Sequence, residues 1–456
     1  MKHFFTLLLI ITSPFLNAQN FPEKIDSLIN ASFKTGVFNG NILVHYNDKL
    51  IYSNSLGYAD SQRTPLASDH SMPIGSISKE FGSVGIMFLA EQGKVNIDEP
   101  LINYLDFLPE YCSDIKVSQI LNYTSGIIAT AGYDTESLKE SLSEAKELKF
   151  NPGTRYDYNY SNIILQKALI EKLSGMTFKD FLEKRLFNPI GIDQIYQPEN
   201  GKLYGKMAES FNNDGENTTF IHDYTKAIYL TPDDLHQWLK SLYNEDIISF
   251  ETISTLNKTF DKGSQSGLGH LSLDSLGVLE HYHHGSGNNY EAIIYYSREL
   301  ELEIILMTNN LNFKLAEIGN GIINIMQNKP FKTPKRSVYL DIREKLNDDF
   351  ESGIAFYHQI RTEKADSYDL DNQGNDLIKT AQYLMRREKY TDAATLLNLG
   401  YITCELNKND KSSFAELIAD CYSSLGKNEL AKIYYQKSIL FNASNKGAQN
   451  KLNDLI

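Results

Sequence analysis

Apolar positions change their rhythm along this chain. Gly40-Asn41-Ile42-Leu43-Val44-His45-Tyr46 has the length and composition of a strand, Asn47-Asp48 supply a turn, and Leu50-Ile51-Tyr52-Ser53 begin the return strand. From Lys79 to Gln92 the residues Phe81, Val84, Ile86, Met87, Phe88 and Leu89 predict a largely buried helix that stops near Gly93. Helical spacing returns over Val117–Leu121 and Ser161–Leu173, the latter closed by Gly175. Tyr290–Tyr296 and Leu302–Thr308 are apolar strand runs joined by the mostly polar Ser297–Glu301, and a helix is expected near Leu315–Met326. Strands at both ends of a helical middle predict one sheet assembled from the two ends of the segment, an α/β layered domain over residues 22–330.

Pro330, Thr333 and Pro334 break this pattern. Residues 331–348 read as a linker, and 349–456 hold only amphipathic helices separated by polar turns. Two stretches repeat at a spacing of 38 residues: Arg387-Glu388-Lys389-Tyr390-Thr391-Asp392-Ala393 and Leu425-Gly426-Lys427-Asn428-Glu429-Leu430-Ala431. The arrangement resembles the tetratricopeptide (TPR) repeat, with Asp349–Arg361 as a degenerate earlier unit. Such units need neighbours to bury their faces, so about three is a minimum. The resemblance implies an all-α TPR-like domain that contacts a protein partner or packs back on the rest of the chain.

The beginning of the chain is different again. Lys2, the apolar stretch Phe4–Ile11 and Leu16-Asn17-Ala18 have the layout of an export signal over residues 1–18. Elsewhere no apolar run approaches the length of a membrane span. The expectation is an exported protein, periplasmic or secreted. Cys112, Cys404 and Cys421 are too few for a disulfide framework, although an oxidising compartment leaves a Cys404–Cys421 bridge open.

Charge narrows the partners. The chain of 456 residues carries a formal net charge of −14, and Phe331–Ile456 is balanced at 18 basic and 18 acidic residues, so the whole deficit lies in residues 1–330. With no local basic stripe, nucleic acid is excluded as an expected partner.

Three short elements carry candidate chemistry. Ser76-Ile77-Ser78-Lys79 places a hydroxyl and an amine one helical turn apart at the mouth of the apolar helix, where backbone N–H groups favour a developing anion. A buried lysine can lose its charge and take a serine's proton. The spelling alone decides nothing: Ser113, Ser143 and Ser424 also precede a lysine by three residues, and a helix-capping serine beside a solvated lysine reads the same way. Tyr160-Ser161-Asn162 follows the turn Asn151-Pro152-Gly153-Thr154 and adds a tyrosine as base or proton relay and an amide as donor and acceptor. Tyr52-Ser53-Asn54 has the same spelling but falls in the first predicted hairpin. The third element, Tyr282-His283-His284-Gly285-Ser286-Gly287, precedes a strand, and its glycines allow close backbone approach. Its adjacent histidines have no third ligand at metal-binding spacing.

Taken in order, these elements resemble the serine β-lactamase and penicillin-binding-protein superfamily, on the class C β-lactamase, DD-peptidase and esterase branch. Residues 38–328 carry the likeness, through Gly57-Tyr58-Ala59-Asp60, Ile74-Gly75-Ser76-Ile77-Ser78-Lys79, Glu91-Gln92-Gly93-Lys94-Val95, Leu121-Asn122-Tyr123-Thr124-Ser125-Gly126, Tyr160-Ser161-Asn162 and Asn309-Asn310. The resemblance implies a β-lactamase/transpeptidase-like fold, an antiparallel sheet flanked by helices with a helical subdomain. It implies Ser76 as the acylated nucleophile, activated by Lys79 and Tyr160. Asn162 would orient the substrate amide, and His283-His284-Gly285 would replace the family's Lys-Thr-Gly. The N–H groups of Ser76 and Ser286 would hold the oxyanion. His283 in place of lysine moves the expectation from a true β-lactamase toward a peptidase or esterase, acting on a small peptide, cell-wall-like or ester substrate without metal or cofactor. Lys226-Ala227-Ile228-Tyr229-Leu230-Thr231 stands where the family has Gly-Gly-x-x-Ser-Thr, and its bulk is expected to reshape a pocket wall. The alternative is a catalytically silent scaffold or binding protein on the same fold.

Overall fold

The computed structural model describes residues 20–130, 132–193, 203, 205–212, 216–218, 227–261, 263–287 and 289–455; the leader expected at 1–18 lies outside the described residues. Two compact units emerge. The first comprises Met1–Phe33, Phe38–Leu311 and Leu315–Lys332, and the second Lys34–Val37, Asn312–Lys314 and Thr333–Ile456.

In the first unit the apolar runs at the two ends of the segment form one sheet. Its strands are β1 (Gly40–Tyr46), β2 (Lys49–Leu56), β3 (His270–Asp274), β4 (Gly277–Gly287), β5 (Tyr290–Ser297) and β6 (Leu302–Thr308). They run in the order β2-β1-β6-β5-β4-β3, antiparallel throughout, and β1 pairs with β6 from Gly40↔Thr308 to Tyr46↔Leu302. The sheet is therefore antiparallel within a helix-flanked fold, as the likeness implied. Side chains alternate between its faces. Ile42, Val44, Ile293, Ile304 and Leu306 pack beneath the helices α1 (Phe21–Lys34) and α5 (Leu315–Met326). Leu43, Ala292, Ile294, Ile305 and Met307 face the opposite core, with α2 (Lys79–Glu91), α3 (Tyr160–Ser174) and α4 (Pro232–Tyr243). Helix α2 runs through this core, burying Phe81, Val84, Ile86, Met87 and Leu89. Among the unanticipated elements are α1, α4 and the β3–β4 hairpin, where polar and histidine positions interrupt the apolar signal.

The second unit is built of helices and starts inside the stretch expected as a linker: Val338–Asp348 is helical, and Val338, Ile342 and Leu346 enter its core. Val338–Asp348, Phe350–Glu363, Gln373–Met385, Tyr390–Thr403, Lys408–Ser424, Asn428–Phe441 and Lys446–Asn453 follow one another through short turns. Leu377, Leu384, Leu396, Leu397, Phe414 and Ile418 build its core. Glu388 and Gly426, 38 residues apart, hold matching turns at φ of 60° and 71°. Cys112, Cys404 and Cys421 are all free thiols. Among the described residues, no helix is long and apolar enough to cross a membrane.

Candidate active site

Ser76 sits in a turn of 3₁₀ helix, Gly75–Ser78, that leads directly into α2. The tight turn brings Lys79 back toward it, and Lys79 Nζ donates to Ser76 Oγ at 2.9 Å. Burial lowers the lysine pKa to about 8 against an opposing influence from Tyr160, so roughly a tenth of it is neutral at pH 7. The Lys79 ammonium also lies 5.0 Å from the centre of the Tyr158 ring.

Opposite Ser76 runs the end of β4, and the two backbones are in close contact. Gly75 adopts φ +54°, and a Cβ there would fall 2.5 Å from Ser286 N. A Cβ on Gly285 would fall 2.0 Å from Ile74 O and 2.8 Å from Ser76 N. Only glycine at both positions lets the two backbones approach this closely. Ser286 itself is exposed. Backbone N–H groups next to a hydroxyl–amine pair are the kind of donor that polarises a carbonyl and holds the anion that attack creates.

The tyrosine element is resolved differently from its spelling. Tyr160 is the first residue of α3. Its hydroxyl accepts from Lys167 Nζ at 3.4 Å, and its charge field reaches Lys79. Tyr158, on the loop just ahead of the helix, is the tyrosine whose ring lies beside Lys79 and whose hydroxyl feels the Ser76 side chain. Burial raises the Tyr158 pKa, while the Ser76 contact pulls it the other way. Asn162 does not reach the site. It lies inside the first turn of α3, fully buried, donates to Asn159 Oδ1 at 3.2 Å and accepts from Ser125 Oγ at 2.6 Å. Placing it against a substrate amide is therefore corrected: it ties two loops together. The available signal was the helix start, because side chains ahead of an N-terminus project from the loop whereas those one turn inside face the core.

The sequence profile of the beta-lactamase family matches residues 25–323, well over half of the chain. The chain belongs to the beta-lactamase family. Its hydrolases include the penicillin-binding proteins, and over 261 residues the chain is 23% identical to penicillin-binding protein 4* of Bacillus subtilis, a match covering 54% of this chain and 56% of that protein. The chain thus spans little more than half the length of that relative. It is 20% identical over 322 residues to the teichoic acid D-alanine hydrolase of Staphylococcus aureus, covering 68% and 79%. The octameric penicillin-binding protein homologue from Pyrococcus abyssi superposes with a TM-score of 0.58 at 21% identity over 71% of this chain and 80% of that one, a likeness of fold. The tetratricopeptide repeat profile matches residues 413–445.

Within this family the third element is the clearest departure. Along β4, His281, His283 and Gly285 point to one side and are buried. His283 is only 2% exposed, and its Nδ1 lies 2.6 Å from Glu80 Oε1 in the core behind Lys79. The expectation that His283 holds a substrate carboxylate is overturned: the ring faces the interior. Burial lowers its pKa below the usual imidazole range despite the Glu80 carboxylate, so it is a neutral donor. Glu80 Oε2 accepts from Trp238 Nε1 at 2.9 Å, and Oε1 also lies 3.2 Å from His281 Nε2. His281 in turn meets Leu268 O and the Tyr243 hydroxyl. Glu80 is on the nucleophile's helix and His283 on the Ser286 strand, so the bond between them joins the two sides of the site. His284 points the other way, a third exposed, with Nε2 3.0 Å from Glu291 Oε1.

The segment replacing Gly-Gly-x-x-Ser-Thr also turns inward. Ile228, Tyr229 and Leu230 are buried, and Tyr229–Leu230 pair with Met72–Pro73 just ahead of Ser76. Its bulk supports the nucleophile turn from behind. Lys226 lies outside the described residues.

Proposed function

We propose that this chain is an exported serine hydrolase that works through an acyl-enzyme on peptide, D-amino-acid or ester substrates. The observation that carries the proposal is the 2.9 Å contact between Ser76 Oγ and an amine whose pKa burial lowers to about 8. Neutral Lys79 takes the Ser76 proton as Oγ bonds to the substrate carbonyl carbon. The carbonyl oxygen becomes an oxyanion between the N–H groups of Ser76 and Ser286. Collapse of that adduct breaks the bond to the leaving amine or alcohol, which receives the proton, with Tyr158 as relay and Tyr160 shaping the field at Lys79. Water then enters with the same base and releases the acid. The names of the relatives, a penicillin-binding protein and a teichoic acid D-alanine hydrolase, support this substrate range. The helical repeats support a protein partner for the second unit.

Intact mass after incubation with a fluorophosphonate and, separately, a penicillin tests the reading. One adduct per chain is expected, mapping to Ser76 and absent from Ser76→Ala. Turnover in that variant should fall by at least about three orders of magnitude. Folded protein that forms no adduct with either reagent would favour the silent binding protein instead. Tyr158→Phe should slow acylation more than Tyr160→Phe; the reverse order would return the relay to Tyr160.

A further inference from the structure

Away from the nucleophile, three side chains from three elements converge: His45 of β1, His236 of α4 and Glu303 of β6. Their ligand atoms all lie within 4.8 Å of one another. His236 Nδ1 is 2.6 Å from Glu303 Oε1 and His45 Nδ1 is 3.8 Å from the same oxygen. The cluster stands at the opposite end of the sheet from Ser76. Ser286 pairs with Glu291 and Glu291 with Thr308, whereas Glu303 lies five residues along β6, about 17 Å away. It borders an open cavity of about 530 Å³, also lined by Asp48, Lys240, Tyr296 and Arg298.

We propose that His45, His236 and Glu303 form a binding site for a divalent transition-metal ion of the zinc class, separate from the hydrolase centre. Two imidazoles and one carboxylate are a donor set suited to zinc and unsuited to calcium or magnesium, which take all-oxygen shells. Zinc–ligand bonds of about 2.0–2.2 Å put tetrahedral donors roughly 3.3–3.6 Å apart. The separations of 2.6 and 3.8 Å bracket that range. A second observation points to a ligand: His45 Nδ1 is buried and has no hydrogen-bond partner among the described residues. A lone pair in that position is costly unless something binds it. One adjustment is required. The two rings are stacked, with centroids 3.9 Å apart and planes 8° apart, so a metal in the plane of both needs one ring to turn. His45 can turn about Cβ–Cγ without breaking a hydrogen bond at Nδ1. The cavity then supplies the entry path and leaves the remaining coordination position for water or a small anion.

The rival histidine cluster, Glu80 with His281 and His283, lacks this opening. It is fully buried, and both nitrogens of His281 are engaged by protein groups.

The test uses the untagged full chain, stripped with a chelator and titrated with Zn²⁺ against a colorimetric competitor. One zinc per chain is expected, with a rise in melting temperature and, for Co²⁺ in its place, visible absorption from a nitrogen–oxygen site. Glu303→Gln keeps the shape and an acceptor for His236; it should weaken zinc binding at least about 100-fold while fluorophosphonate labelling of Ser76 is unchanged. His236→Gln, at a half-buried position, is the second variant and should do the same. Full zinc affinity in both folded variants, or no zinc taken up by the wild-type chain at about 100 μM, overturns the site. Neither outcome bears on the Ser76 chemistry.

Discussion

Helix α4 contributes to two histidine–carboxylate clusters that differ in how completely their polar atoms are matched. Trp238 and Tyr243 of α4 close the first around Glu80, His281 and His283, whereas His236 enters the second beside His45 and Glu303. Both clusters rest on the same row of the sheet, since His281 pairs with Tyr296, Tyr296 with Glu303 and Glu303 with His45. In the first, each Glu80 oxygen accepts a hydrogen bond and His281 uses both ring nitrogens. In the second, a buried imidazole nitrogen is left over beside an open cavity. A buried polar network rigidifies a core when every member is satisfied and is a liability otherwise. The closed cluster therefore belongs to the scaffold that fixes Ser76 against Ser286, and the open one is where an external ligand can repay the defect.

The largest expected effect separates the two clusters by stability. Glu80→Ala leaves the buried His283 imidazole and the Trp238 indole N–H without their acceptor and should cost about 3–5 kcal/mol in chemical denaturation. Glu303→Ala, at the edge of a cavity that water can enter, should cost roughly 1–2 kcal/mol. Equal losses would erase the distinction.

Acid should find the closed cluster next. Burial alone would raise the Glu80 pKa, but His281 and His283 overcome it and hold the carboxyl at about 2, against 4.5 for an ordinary glutamate. A depressed carboxylate contributes stability that is present above the unfolded value and is lost as pH falls through the folded one. His283 acts in the same direction. Its folded pKa lies below 6.5, so under that pH the unfolded chain takes the proton first and stability drops. Stability should therefore fall from about pH 6.5 downward and again, by up to a few kcal/mol, from about pH 4.5 toward 2. In Glu80→Gln the second fall should be flatter between pH 5 and 3; an unchanged slope would mean that Glu80 is not an ionised anchor.

The parts legible from sequence are those encoded locally. Lys79 reaches Ser76 because three residues separate them at a helix start, and β1, β5 and β6 announce themselves as apolar runs. What escaped depends on facing and on distant partners. His283-His284-Gly285 is spelled like a ligand-holding edge, but strand alternation turns His283 into the core, where its partner Glu80 lies some 200 residues earlier in the chain. Tyr160-Ser161-Asn162 carries the expected letters, yet α3 begins at Tyr160, so Tyr158 on the preceding loop lies beside Lys79 and Asn162 turns inward. His45, His236 and Glu303 share no spacing pattern at all. Their meeting is a product of sheet register and helix packing.

At the nucleophile the comparison predicts a pH profile. The base is active when neutral, and burial sets the Lys79 pKa at about 8. The rate of Ser76 acylation should rise about tenfold per pH unit below that value and level off above it, a slope worth about 1.4 kcal/mol per unit. A profile that is flat from pH 6 to 9 would remove Lys79 as the base.

The smallest expected effect is at the open cluster in the absence of metal. Glu303→Gln exchanges a carboxylate for an amide of the same shape, and the amide oxygen can still accept from His236 Nδ1 at the present 2.6 Å position. The ion-pair component lost is modest, because the His236 side chain is 27% exposed and solvent screens it. The carboxylate also sheds a burial cost, since burial raises its pKa above the ordinary range. These opposing contributions should leave metal-free stability within about 1 kcal/mol of the parent, with the acylation rate and its pH profile unmoved. Thermal melts of both proteins after chelator treatment, set against melts with zinc added, read this directly. A variant that melts like the parent without zinc but fails to gain with it would sharpen the contrast; a loss of several kcal/mol without metal would show the second cluster to be a structural anchor of the same kind as the first.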